Sequence, residues 1–130
     1  MSPRLRAALA VVAGFVAVAV LSIGTDAALH GLGLFPPEPE RMSDGLFLLA
    51  AVYRAGFTVV GGAIATTLSG ADSYRPAQVL AGLGLLGGLA GVAVWSQTPE
   101  LGPLWYVLSI PISAIPCSLL GAWAVLRGKA

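Results

Sequence analysis

Four long apolar runs, separated by short polar clusters, divide the chain. Ala7–Thr25 is free of charge for 19 residues, and Gly45–Gly70 is broken only by Arg54. Pro76–Pro99 and Leu101–Leu126 follow with a single charge, Glu100, between them. A bilayer core about 30 Å thick takes roughly 20 helical residues to cross, and each run reaches that length. Backbone N–H and C=O groups in lipid must be satisfied within the segment, so each run predicts a helix. Ala and Leu dominate, without the period-two alternation of a membrane barrel. The pattern predicts helices over about residues 5–34, 44–68, 76–97 and 103–126, forming one transmembrane domain over residues 1–130.

The polar punctuation agrees. Ser43 or Asp44 can accept from the free N–H groups that open the second helix. Pro76 and Pro103 fall where a first-turn proline costs nothing. The segment Phe35-Pro36-Pro37-Glu38-Pro39-Glu40-Arg41 is too proline-rich for a helix and predicts a turn or extended link. The remaining links are short, and short links favour antiparallel neighbours. The expectation is an all-α, integral membrane, up-down-up-down four-helix bundle. Lys/Arg bias sets its orientation. With the N-terminus inside, Arg4, Arg6, Arg75, Arg127 and Lys129 lie on one side and Arg41 alone on the other. The predicted topology is therefore N-in/C-in, with Trp105 and Tyr106 at the outer interface and Tyr74 and Trp123 at the inner one. A cleaved signal peptide is the less favoured reading of the first run, which is longer than a signal core.

Composition narrows the function classes. Of 130 residues, 57% are hydrophobic and 10% charged, against about 25% charged in a soluble domain. A soluble enzyme domain, a disordered chain and a nucleic-acid binder are excluded, the last for want of a basic face. The single cysteine, Cys117, allows neither an internal disulfide nor a Cys-X-X-Cys redox pair, and reads as a small buried residue. One histidine and one cysteine at different depths make no metal or haem site. With no nucleophile–base constellation, neither an enzyme nor a cofactor is expected.

Two charges lie inside the runs. A full charge near the centre of a spanning helix costs about 2.5–3.5 kcal/mol on insertion scales, so Asp26 and Arg54 should not face lipid. Asp26 lies about 12 Å from the predicted outer end of the first helix, and Arg54 about 15 Å from that of the second. Their depths match on consecutive helices, which predicts an Asp26–Arg54 ion pair. Ser22 and His30 flank Asp26 at four-residue spacing, and Tyr53 adjoins Arg54. The candidate polar cluster is therefore Asp26, His30, Tyr53 and Arg54. It reads either as a lock on helix register or as a proton or ligand site.

Glycines mark close helix packing. The third run holds Gly84, Gly87, Gly88 and Gly91 as overlapping small-xxx-small pairs, placed either within the bundle or between copies of the chain. The second adds Gly56, Gly61 and Gly62. In the fourth, Pro111 and Pro116 predict kinks, and Ser109, Ser113, Cys117 and Gly121 form a small-residue stripe whose hydroxyls could bond carbonyls freed by the prolines.

Gly24-Thr25-Asp26, Leu29-His30, Met42-Ser43-Asp44, Tyr53-Arg54, Trp105-Tyr106 and Pro116-Cys117 resemble a family of small bacterial four-helix inner-membrane proteins. The resemblance covers most of the chain and implies four spans, with Asp26, His30 and Arg54 in one pattern. It implies no activity. The expected role is a structural or assembly protein of the bacterial inner membrane, its partners being the bilayer and further copies of itself. The alternative is an oligomeric transporter or channel for a small solute, ion or proton. Small multidrug exporters share the size and helix count but carry a coupling glutamate in the first helix. Here the carboxylate is Asp26, nearer the outer end, and an arginine partner would oppose the protonation that coupling needs.

Overall fold

A computed structural model describes residues 2–35, 43–70 and 72–128. They form α1 (Pro3–Gly31), α2 (Asp44–Ser69), α3 (Arg75–Trp95) and α4 (Leu104–Arg127), with one 3-10 turn, Pro99–Leu101, before α4. Arg41 and Lys129, which carry part of the topology argument, and Glu38 and Glu40 of the proline-rich link lie outside the described residues. All four helices are long and apolar enough to cross a membrane, and only 22–28% of the most apolar window of each is buried within the protein. Many of the Leu, Val and Ile side chains are exposed, as in Val20 on α1 and Leu86 on α3. Such helices need an apolar solvent, and the chain reads as a multi-pass membrane protein.

Local chemistry sets the helix ends. Ser2 caps α1 through Oγ, which accepts from the Leu5 N–H at 3.1 Å, and Pro3 occupies the first turn. The helix therefore starts two residues before the predicted Leu5. It ends at Gly31 rather than Leu34, because Gly33 takes a left-handed φ of +79°. The Gly33 N–H then donates to the His30 carbonyl and the Leu34 N–H to that of Leu29, the paired bonds of a Schellman end. Ser43 caps α2, accepting from the Leu46 N–H at 3.4 Å. At its other end Gly70 is left-handed (φ +69°), and Arg6 Nε donates to the Leu68 carbonyl at 2.9 Å. A residue from the start of α1 thus satisfies a free carbonyl at the end of α2. Pro103 is the residue before α4 rather than part of its first turn.

Glycines decide which helices approach. A Cβ on Gly14 of α1 would stand 2.6 Å from the Gly61 carbonyl of α2. On α2, a Cβ at Gly62 would strike the Ser118 backbone of α4. One at Gly121 of α4 would strike the Val59 carbonyl and lie 2.7 Å from the Ala63 nitrogen. Backbone therefore meets backbone along both faces of α2, whose most extensive neighbours are α4 and α1. α3 packs chiefly on α4 and only lightly on α2, although a short link joins it to α2. Chain order thus gives α1 as a main neighbour of α2 but not α4; the paired glycines give α4, by removing the side chains that would hold the two helices apart. Val11, Ala65 and Leu80 form the buried cluster where α1, α2 and α3 meet.

The buried seam of α4 is Pro111, Ala114, Ser118, Gly121 and Ala122. It runs beside the predicted stripe, where Ser109, Ser113 and Cys117 are half-buried and only Gly121 belongs to the seam. A strict four-residue repeat drifts around a 3.6-residue helix, whereas alternating steps of three and four stay on one face. Nor do the serines serve the prolines. Ser109 Oγ donates to the Tyr106 carbonyl at 2.5 Å and Ser113 Oγ to that of Ile110 at 3.2 Å. The carbonyls deprived of a donor by Pro111 and Pro116 are those of Val107 and Ile112. The helix nevertheless runs unbroken from Leu104 to Arg127.

Ser118 is 1% exposed, and its Oγ has no hydrogen-bond partner among the described residues. An unpaired buried hydroxyl costs about 1–3 kcal/mol. Ser118→Ala should therefore leave stability unchanged or raise it by about 1 kcal/mol, read as a shift to higher detergent concentration in an unfolding titration. A clear loss of stability would mean that the hydroxyl has a partner.

Candidate functional site

Asp26 projects from the last third of α1, and Tyr53 and Arg54 are consecutive on α2. Counted from the observed ends, Asp26 lies five residues inside Gly31 and Arg54 ten residues inside Asp44. These are depths of about 8 and 15 Å, a difference that the long arginine side chain bridges. Arg54 Nη2 donates to Asp26 Oδ2 in an ion pair, and the Tyr53 hydroxyl donates to Asp26 Oδ1. Both carboxylate oxygens are thereby engaged by neighbouring positions of one helix. The side chains of Asp26 and Arg54 are about a quarter exposed, at 28% and 27%. A guanidinium suits such a site because it stays charged and presents several donors in a fixed plane.

Two more elements complete the surroundings. Tyr106, in the first turn of α4, stands close enough to interact electrostatically with both Arg54 and Asp26, and its ring packs on Phe47 of α2 at 4.9 Å. The sequence pattern alone places Tyr106 in the interfacial belt. Its place two residues into a helix that packs on α2 was the available signal, but nothing in the chain order named α2 as the neighbour. The Thr58 hydroxyl, one turn after Arg54, donates to the Arg54 carbonyl at 2.9 Å.

His30 does not join this group. It is exposed, and its ring meets Phe35 edge-on at 5.3 Å. The Schellman turn after Gly31 brings the buried Phe35 back over His30, so the imidazole is occupied by the helix end rather than by Asp26.

Inward of the ion pair lies a cavity of about 280 Å³ between α1 and α3, floored by α2 and α4. Arg54, Ser22 and Thr58 are its polar lining residues, and Phe15, Leu83 and Ile110 are among its apolar walls. Among the described residues, no group of three or more His, Cys, Asp or Glu could hold a metal ion.

The four candidate glycines of α3 separate into two pairs. Gly84 faces Ala114 Cβ at 3.0 Å and Gly88 faces Pro111 at 2.8 Å, distances measured from a Cβ placed on each glycine. Gly87 and Gly91 would meet nothing within 4 Å. Gly88→Ala should lower stability by about 1–3 kcal/mol through overpacking, while Gly87→Ala should not lower it. Equal losses at both positions in a detergent unfolding titration would contradict the packing of α3 on α4.

In comparisons with known proteins, no family model matches the chain, and no curated protein or solved structure matches it.

Proposed function

We propose that this is a small structural or assembly protein of the bacterial inner membrane, whose Asp26–Arg54 pair locks α1 to α2 within the bilayer. The observation carrying this reading is that Tyr53 and Arg54 engage both oxygens of Asp26, leaving the carboxylate ill suited to exchange a proton or ligand. The reading includes an up-down-up-down arrangement with both termini inside. Support comes from pairings of early with late residues. Arg6 meets Leu68, and Gly14 meets Gly61, so α1 and α2 run in opposite senses; Gly84 with Ala114 and Gly88 with Pro111 do the same for α3 and α4. Gly91, whose added Cβ would meet nothing within 4 Å and which lies outside the lining of the α1–α3 cavity that Gly87 borders, marks the stretch of α3 on which copies of the chain would associate. The role needs neither catalysis nor a cofactor.

A second reading, transport of a small solute or ion, draws on the cavity beside Arg54. Reconstitution in liposomes with a proton- or cation-sensitive dye separates the two. The structural reading expects wild-type and Asp26→Asn vesicles to leak no faster than empty ones. A wild-type flux abolished by Asp26→Asn, in a variant that still folds, would establish transport and end the structural reading.

A further inference from the structure

A second groove opens between the first turns of α1 and the start of α3, with a volume of about 720 Å³. Arg4 and Arg75 line it, together with Ala7, Ala8, Val11 and Val79. Among the described residues neither arginine is held in an ion pair. Arg6, by contrast, is committed to the end of α2. Asp72, three residues before Arg75, does not line the groove. Two uncommitted cations thus stand at the mouth of an apolar channel, at the end of the protein where both helices begin.

We infer that this groove is a binding site for an anionic phospholipid, with the headgroup phosphate between Arg4 and Arg75 and one acyl chain along the α1–α3 seam. The charge is complementary, since arginine presents several donors to phosphate oxygens. The geometry also suits a chain. Arg4, Ala8, Val11 and Phe15 follow one face of α1 at steps of three and four, and Phe15 opens the wall of the 280 Å³ cavity. An acyl chain occupies one leaflet, about 15 Å of a 30 Å core. From Arg4 to Phe15, α1 rises by about 17 Å, so a chain anchored at the level of Arg4 would end close to that of Phe15. A free phosphate offers the same headgroup chemistry without the chain, and the two sources can be separated.

This inference rests on the reading of the helices as bilayer spans, which flotation of the full-length protein with phosphatidylcholine vesicles tests on its own. If the spans are wrong, flotation fails; if only the site is wrong, flotation persists. The site itself is tested by native mass spectrometry of the detergent-solubilised chain, titrated with dioctanoyl phosphatidylglycerol, dioctanoyl phosphatidylcholine and glycerol phosphate. The wild type should hold one phosphatidylglycerol about tenfold more tightly than either comparison ligand, a step of the kind one extra ionic contact supplies. Arg4→Gln/Arg75→Gln should weaken phosphatidylglycerol about 30-fold, the scale of two basic residues at an anionic surface. Arg127→Gln, whose guanidinium lies over the Trp123 ring, should change nothing. Ala8→Trp, which fills the groove with both arginines intact, should weaken the lipid while sparing glycerol phosphate. Both arginines and Ala8 are exposed, so an unchanged unfolding midpoint will confirm that each variant folds. Undiminished lipid binding in the double variant or in Ala8→Trp would overturn the site, as would glycerol phosphate binding as tightly as the lipid.

Discussion

Gly121→Leu should be among the most damaging single changes in this chain. The Cβ of any residue at 121 falls on the Val59 carbonyl, and it lies 2.7 Å from the Ala63 nitrogen. Neither atom belongs to a flexible side chain that can turn aside. α2 and α4 must separate, and α2 is the element on which both α1 and α4 chiefly pack. Overpacking a tight interior costs about 1–3 kcal/mol and sometimes more. Here leucine should reach the upper end and alanine the lower. Gly62→Leu should behave alike, because it meets the Ser118 backbone on the same interface. Gly56, which meets nothing within 4 Å, is the internal control on the same helix. Unfolding in mixed micelles of dodecyl maltoside and dodecyl sulfate reads the difference. Equal tolerance at Gly56 and Gly121 would contradict the close approach of α2 and α4.

The second large effect belongs to Arg54. Arg54→Ala removes the cation and leaves Asp26 with only the Tyr53 hydroxyl. Removing one partner of a buried ion pair costs about 3–5 kcal/mol, mostly because the remaining charge is uncompensated. The pair here is about a quarter exposed, so the lower end of that range is expected. Asp26→Asn should cost less than Arg54→Ala. It removes the negative charge but keeps an oxygen for Tyr53, and the long arginine can move its charge towards the interface.

The hydrophobic pattern along the chain carries the helix count and most helix boundaries, because span length is set by bilayer thickness and little else. The apolar run alone extends α1 to Leu34, because nothing in it reveals that Gly33 turns left-handed. The Asp26–Arg54 contact was legible from depth on consecutive helices, because two charges in so apolar a chain have few partners. His30 was not, because four-residue spacing places it on the face of Asp26 but says nothing of Phe35 folding back over it. Tyr106 and the α2–α4 contact were hidden for a common reason. Lateral arrangement depends on which small residues face each other across helices distant in sequence, and periodicity in one helix cannot show its partner. The α3 glycines illustrate this: Gly84 and Gly88 are distinguished from Gly87 and Gly91 only by the presence of α4.

The most direct test of the lock between α1 and α2 is a double-mutant cycle on the ion pair. Unfolding free energies would be measured for the wild type, Asp26→Asn, Arg54→Gln and Asp26→Asn/Arg54→Gln. If the pair holds the helices in register, Arg54→Gln alone should cost roughly 3 kcal/mol. The double variant, with no charge left unpaired, should then be more stable than Arg54→Gln alone, giving a coupling energy of at least about 1 kcal/mol. Additive losses with no coupling would contradict the account.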